Sequence, residues 1–263
     1  MVEALFRIED LRVDVPDMTR KPLFGAAPRL EILKGLSFDI PRGTVLGIVG
    51  GSGSGKTTLG RALVRLIKPS GGAIAFDGKD ITHLSDEAMR PLRRRIQMIF
   101  QDPMSSLNPR LTVGRIVGAA LGLRSGDRRV SEALEQVGLP AAFVRRYPHE
   151  LSGGQRQRIG IARAIAMRPD FILADEIVSG LDVSSQAQVL NLLQGLVKEL
   201  GLTLAFISHD LSVIRRLCGR VIVMQAGAIV EDAPTEALFE KPAHPYTREL
   251  LDAIPSPDPS IRW

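Results

Sequence analysis

Residues 50–58 read GGSGSGKTT, in which Gly50, Gly55, Lys56 and Thr57 meet the spacing G-x-x-x-x-G-K-[ST]. Glycines let the backbone turn so that successive N–H groups point into one hollow, and a helix starting near Lys56 adds its positive dipole end. Phosphate is the guest that such a hollow suits. Gly50, Gly51, Ser52, Gly53, Ser54, Gly55, Lys56, Thr57 and Thr58 are the candidate nucleotide-binding residues. At this spacing Lys56 reaches the β- and γ-phosphates of a nucleoside triphosphate and the Thr57 hydroxyl ligates Mg2+. The plainer alternative is a glycine-rich strand-to-helix turn that binds nothing. Taken alone, the loop specifies a nucleoside triphosphate and leaves kinase, GTPase and motor open.

Two further stretches offer matching chemistry. FILADE, residues 171–176, delivers Asp175 and Glu176 to the C-terminal edge of an apolar run, the edge at which open α/β sheets bind ligands. Asp175 is the candidate Mg2+ ligand through the ion's water shell, and Glu176 the candidate base that orients and deprotonates an attacking water. The bland reading makes both acids caps of the next helix. LSGGQRQRIGIARA, residues 151–164, opens with Ser152, Gly153, Gly154 and Gln155 at the start of an arginine-rich helix, which makes a second anion-binding surface. Either the protein binds two ligands, or the second surface serves the nucleotide of a partner.

The elements that must position these residues show in the patterning. Alternation over 5–15 and over 32–40 predicts two amphipathic strands joined by a Pro/Gly-containing loop, 16–29. The run 44–49 reads as a buried strand leading into the cradle, followed by a helix to about residue 67, a strand over 73–78, a helix over 86–94 and a strand over 96–100. From 103 to 150 the apolar recurrence is helical, and strand-like runs disappear. After it, 171–175, 202–208 and 220–224 read as buried parallel strands separated by helices such as 184–200. The stretch 234–263 reads as a tail with an irregular end.

With 263 residues, 44% of them hydrophobic, the chain can bury the core of one large domain or two smaller ones. The single cysteine, Cys218, excludes an internal disulfide and any cysteine-based metal or iron–sulfur site, and is expected to be a buried small apolar residue. No apolar run approaches the roughly 18 to 20 residues of a spanning helix, and the N-terminus is unlike a signal peptide, so the protein is read as cytoplasmic. A net charge of +5 suits nucleic acid or an ATP-binding subunit near anionic lipid. The densest basic run, Arg90 to Arg95, is interrupted by Pro91 and Leu92 and carries no interleaved aromatic residue. It reads as a solvated helix face at a strand entrance, not as a nucleic-acid patch.

At LSGGQ the sequence closely resembles the ATP-binding cassette family. The order of motifs matches: the cradle, Gln101, LSGGQ at 151–155, FILADE, SGLD at 179–182, and His209 in ISHD. The resemblance implies an α/β fold, a P-loop NTPase core with a parallel sheet, an N-terminal antiparallel β portion and an inserted helical subdomain. It divides the chain into a nucleotide-binding core over 1–102 and 155–235, a helical subdomain over 103–154, and a C-terminal tail over 236–263. In this family two ATPase domains face head to tail, and the signature of one closes over ATP held by the other. By the same resemblance Gln101 ligates Mg2+ and senses the γ-phosphate, Asp182 lies in the loop linking the two sites, and His209 contacts the γ-phosphate. His83 and His149 have no such setting and are expected at the surface.

A finer resemblance is to the ATPases of peptide and nickel importers. RRRIQMIFQDPMSSLNPRLTV (93–113), RYPHELSGGQRQRIGIARA (146–164) and HPYTRELLDAIP (244–255) carry it. It implies a second, non-identical ABC ATPase, two transmembrane permeases, an extracytoplasmic solute-binding protein, and a place on the cytoplasmic face of the bacterial inner membrane. Some positions depart from the pattern. Val15 stands where the family commonly has an adenine-stacking aromatic, so that either Phe24 substitutes or the partner binds more tightly; Gly51 stands where the subfamily often has an acid, and Ile177 where it usually has proline. Neither of the last two removes a catalytic group. The rival function is a soluble cassette ATPase working on DNA or ribosomes, against which the short insertion between Gln101 and Leu151 argues. A small-molecule kinase would have no use for LSGGQ.

Overall fold

The computed structural model describes residues 3–17, 19, 25–102 and 106–253. In chain order it runs through strands β1 (Ala4–Pro16), β2 (Arg29–Pro41) and β3 (Val45–Val49), helix α1 (Lys56–Leu63), strands β4 (Gly71–Phe76) and β5 (Lys79–Asp80), helices α2 (Asp86–Met89) and α3 (Leu92–Arg95), and strand β6 (Ile96–Ile99). Helices α4 (Val113–Leu121) and α5 (Arg128–Gln136) follow, then 3-10 turns at Ala141–Arg145 and Pro148–Glu150, helix α6 (Gly153–Ile165), strand β7 (Phe171–Asp175), helix α7 (Val183–Leu200) and strand β8 (Thr203–Ile207). The described chain closes with α8 (Leu211–Leu217), β9 (Arg220–Gln225), β10 (Ala228–Pro234), α9 (Thr235–Glu240) and α10 (Pro245–Asp252). Two compact units result, one from 1–83 with 206–263 and one from 84–205. Among the described residues no helix is long and apolar enough to cross a membrane.

The first unit holds an antiparallel sheet of order β2-β1-β4-β5. Alternation along β1 buries Phe6 and Ile8, then Leu11 and Val13, and the change of phase falls at a bulge whose Asp10 has φ 46. A bulge inserts one residue and so resets which face the following side chains take. Gly35 on β2 accommodates it, since a Cβ there would lie 2.4 Å from the Asp10 carboxylate. Phe6 and Phe76 seal the core with ring centroids 4.9 Å apart.

In the same unit β3 runs parallel to β9, Leu46 to Val49 against Arg220 to Val223, and β10 pairs antiparallel with β9. Helix α8 lies on β3 at Gly47, where a Cβ would approach Ile214 to 3.0 Å and the Cys218 sulfur to 3.1 Å. Cys218 is buried as expected, and burial pushes its thiol far above the ordinary range, leaving it unreactive. Gly47→Val is therefore expected to lower stability by about 1–3 kcal/mol through overpacking, read as a lower midpoint in denaturant. An unchanged midpoint would contradict this packing of α8 on β3.

The second unit pairs β6 with β7 in parallel, Ile96 to Ile99 against Phe171 to Ala174, and every residue of β7 is buried, as its continuous apolar run demands. Between residues 106 and 150 the described elements are all helical. Thr112 caps α4 and Asp127 caps α5 through their side chains, and Gly114 and Gly118 on α4 let backbone carbonyls of Val144 and Leu123 approach to within 2.9 Å of where a Cβ would sit.

Two boundaries differ from the sequence reading. The helix over 86–94 is two single turns, because Pro91 has no N–H to continue the ladder. The helix of the cradle stops at Leu63. There Arg65 takes the left-handed conformation, φ 57, while its N–H reaches the Ala62 carbonyl and the Leu66 N–H reaches Arg61, a Schellman stop built without glycine. In the stretch from 234, β10 ends at Pro234, and α9 and α10 follow. The residues from 254 onward, like Phe24, lie outside the described residues. In the basic run, Arg93 pairs with Asp86 and Arg95 with Asp170. His83 and His149 are exposed.

Strand β10 also anchors α10. Its Glu231 carboxylate accepts the Ala243 N–H at 2.9 Å and the His244 N–H at 3.0 Å. Burial opposes its charge, but these donors hold its pKa below the ordinary glutamate range. A depressed folded value contributes stability above the unfolded pKa of about 4.3, which is lost as pH falls through the folded value. Protection of the α10 amides is thus expected to fall on acidification below about pH 4 in the wild type and to lose this pH dependence in Glu231→Gln. Equal acid profiles in the two proteins would refute the anchor.

Candidate active site

Strand β3 delivers the chain to Gly50, whose φ of 151 favours glycine and whose missing Cβ would lie 2.2 Å from the Met224 carbonyl oxygen. Gly55, φ 101, is the N-cap of α1. Between them the loop closes on Lys56, which is 7% exposed and whose ammonium donates to the carbonyl oxygens of Gly50 at 2.7 Å and Gly51 at 2.8 Å. The Ser54 hydroxyl stands 3.4 Å from the same nitrogen. A cation held against backbone dipoles at the start of an eight-residue helix makes a positive hollow, whose complement is an anion. Ser52 and Gly53 at the loop's tip are exposed, and Thr57 and Thr58 on the first turn of α1 are half-buried.

His209 lies in the same unit and lines a cavity that begins at Gly50. The Ser208 N–H donates to the Ile48 carbonyl, the Ser208 hydroxyl accepts the Asp210 N–H at 2.9 Å, and Asp210 caps α8 through the Ser212 and Val213 amides. These bonds fix the turn that carries His209. His209, Val49 and Gly50 line a cavity of about 520 Å³ together with Leu250 and Ala253 at the end of α10.

In the second unit Asp175 ends β7 and is 5% exposed, and Glu176 follows in the left-handed region with φ 49. That conformation costs a non-glycine residue on the order of 1–3 kcal/mol, and such strain collects where a side chain must point at a reacting group. Its backbone carbonyl accepts both the Ser179 N–H at 3.1 Å and the Ser179 hydroxyl at 2.7 Å, which holds the turn. The Glu176 carboxylate accepts the Gln101 side-chain amide at 3.0 Å, so the candidate base and the candidate sensor are brought together.

Ser152 and Gln155 form a capping box on the 13-residue α6: the Ser152 hydroxyl accepts the Gln155 N–H at 3.3 Å, and the Gln155 side chain accepts the Ser152 N–H at 3.1 Å. Gly154 packs on Ser185, where a Cβ would meet its hydroxyl at 3.2 Å. Asp182 caps α7 by accepting the Ser185 N–H at 2.9 Å, and that backbone bond lowers its pKa.

The candidate Mg2+ ligands Thr57, Gln101 and Asp175 offer only oxygen donors, the set this hard cation prefers. So few protein ligands suit a metal that keeps waters and takes the rest from substrate phosphates. Among the described residues no cluster of three or more His, Cys, Asp or Glu forms a metal cage of its own.

Tyr246 is the residue that sequence reasoning missed. Its hydroxyl accepts the Gly51 N–H at 2.7 Å, and the Gly227 N–H of the β9–β10 turn donates to the Ser54 carbonyl at 3.1 Å. The only hint in the chain is that Tyr246 is one of two tyrosines and sits in HPYT, a helix start 195 positions from the loop.

The family described as ABC transporter matches residues 33–179, and the one described as oligopeptide/dipeptide transporter, C-terminal region, matches 230–263. A protein of Brucella ovis named for peptide import and ATP binding is 58% identical over 239 residues, 89% of this chain and 75% of its own length. Among solved structures, cbiO1 from Clostridium perfringens, described as part of the ABC transporter complex cbiONQ, superposes with TM-score 0.77 at 30% identity, covering 91% of this chain and 92% of its own. The ATP-binding cassette MJ0796, in a dimeric post-hydrolysis state bound to ADP and Pi, gives TM-score 0.75 at 28% identity over 88% and 98% of the two chains. The family match over residues 33–179 and the 58% identity to the Brucella ovis protein over 89% of this chain show that the chain belongs to the ABC transporter family.

Proposed function

We propose that this chain is the ATP-binding and ATP-hydrolysing subunit that powers a bacterial importer of peptides. The observation that carries the activity is the buried Lys56 ammonium gripped by the Gly50 and Gly51 carbonyls, with His209 lining a cavity beside Gly50. Peptide cargo is supported by the match of residues 230–263 to an oligopeptide/dipeptide transporter region and by the Brucella ovis relative's name. In this reading the amides of 50–58 and Lys56 bind the phosphates, and His209 contacts the γ-phosphate. Glu176, oriented by Gln101, takes the proton of the attacking water. Thr57, Gln101 and Asp175 would hold Mg2+, which would supply positive charge to offset that on the phosphate oxygens. Ser152, Gly153, Gly154 and Gln155 complete the nucleotide site of a second, non-identical ATPase, and that subunit's signature completes the site of this one. Two ATP molecules close the pair, closure moves two permeases, and hydrolysis resets them. An extracytoplasmic binding protein selects the cargo, and this subunit sits on the cytoplasmic face of the membrane.

Purification of the tagged chain from membranes of its own host tests the assembly. Recovery of a second cassette ATPase with two membrane-spanning partners is the expected result; recovery on ribosomes or DNA would sink the importer reading.

A further inference from the structure

The motif HPYT at 244–247 has no part in the chemistry above, yet the structure gives its first three residues distinct work. His244 caps α10 by accepting the Tyr246 N–H on Nδ1 at 3.2 Å, and Pro245 takes the first helical position, where a missing N–H leaves nothing unpaired. Glu231 pins the residues just before the helix to β10. From this fixed base the half-buried Tyr246 reaches the Gly51 N–H at 2.7 Å.

That bond grips one peptide unit from its amide side. The carbonyl of the same unit, Gly50 C=O, accepts the Lys56 ammonium at 2.7 Å. Tyr246 and Lys56 thus set the plane of a single peptide between them. Four residues of the loop are then spanned by two outside contacts, Tyr246 on Gly51 and Gly227 on Ser54, and both come from the β9–β10–α10 segment. Gly51 itself is telling. Its φ is not positive, so its backbone does not require glycine, but a Cβ there would lie 2.9 Å from the Tyr246 oxygen, closer than side-chain carbons come.

We propose that Tyr246 is a positioning residue for nucleotide binding: α10 braces the phosphate loop through the Gly50–Gly51 peptide. The inference rests on reading 50–58 as the phosphate cradle. A loop held in one conformation before binding loses less freedom when phosphate arrives, so freeing the peptide weakens affinity and leaves the fold intact.

A fluorescent ATP analogue, titrated at fixed Mg2+ against the full chain, provides the test with Tyr246→Phe, Gly51→Ala and the double variant. Tyr246→Phe is expected to bind roughly 2- to 10-fold more weakly, the range of one hydrogen bond. Gly51→Ala is expected to weaken binding in the wild-type background and to cost markedly less in the Tyr246→Phe background, where the oxygen it strikes is gone. An additive cycle, or wild-type affinity in Tyr246→Phe, overturns the brace. A wild-type chain that binds no nucleotide overturns the cradle reading instead, and needs no variant to show it. Should Tyr246→Phe fail to fold, exchange of the Gly51 amide in the wild type decides: slow exchange supports the brace, and exchange at the rate of an open loop refutes it.

Discussion

Glu176→Gln is expected to reduce steady-state ATP hydrolysis by the assembled ATPase by about 10²- to 10⁴-fold, the range of a lost general base, while nucleotide binding persists. Glutamine keeps the length and the acceptor oxygen that the Gln101 amide now uses at 3.0 Å, so the turn after β7 keeps its bond and only the proton acceptor is removed. The left-handed backbone at Glu176, φ 49, makes the substitution informative, because the strain is carried by either side chain equally. Phosphate release measured alongside ATP binding separates the two effects. Residual hydrolysis within a few-fold of the wild type would remove Glu176 from the chemistry.

Lys56→Ala acts on the other half of the reaction. The residue is 7% exposed and its ammonium satisfies two loop carbonyls, so its loss removes the charge from the hollow and unties Gly50 and Gly51 together. Charge-assisted hydrogen bonds contribute about 1.5–3 kcal/mol each, and losing contacts to two phosphates should weaken ATP binding by at least about 100-fold. Equilibrium binding with labelled ATP measures it, with circular dichroism confirming the fold. Affinity within a factor of a few of the wild type would mean that the backbone amides alone bind the phosphates.

Much of this architecture was legible because its signals are local. Strands β3, β7, β8 and β9 are continuous apolar runs, which only a doubly covered sheet can use, and the glycines at 50 and 55 mark a turn whose φ values of 151 and 101 exclude most other residues. The capping box at Ser152 and Gln155 is likewise written in adjacent residues. What could not be read depends on distance or on exceptions to residue preference. Arg65 ends α1 in a conformation usually left to glycine, because its guanidinium reaches the buried Ile81 carbonyl at 2.7 Å. Strand β10 carries Glu231 and Asp232 in place of an apolar alternation, and its pairing depends on a two-residue turn at Ala226 and Gly227 with φ of 47 and 84. The contact of Tyr246 with Gly51 joins residues 195 positions apart in sequence, and no periodicity announces it.

The central claim is that ATP hydrolysis by this chain drives peptide uptake. Its most direct test places the complete assembly, with the second ATPase, the permeases and the binding protein, in vesicles, and follows entry of a labelled peptide with Mg-ATP on the ATPase side. Uptake that needs ATP and disappears with Glu176→Gln is the predicted result; uptake that continues in the Glu176→Gln assembly, or ATP turnover that moves no peptide, would contradict it.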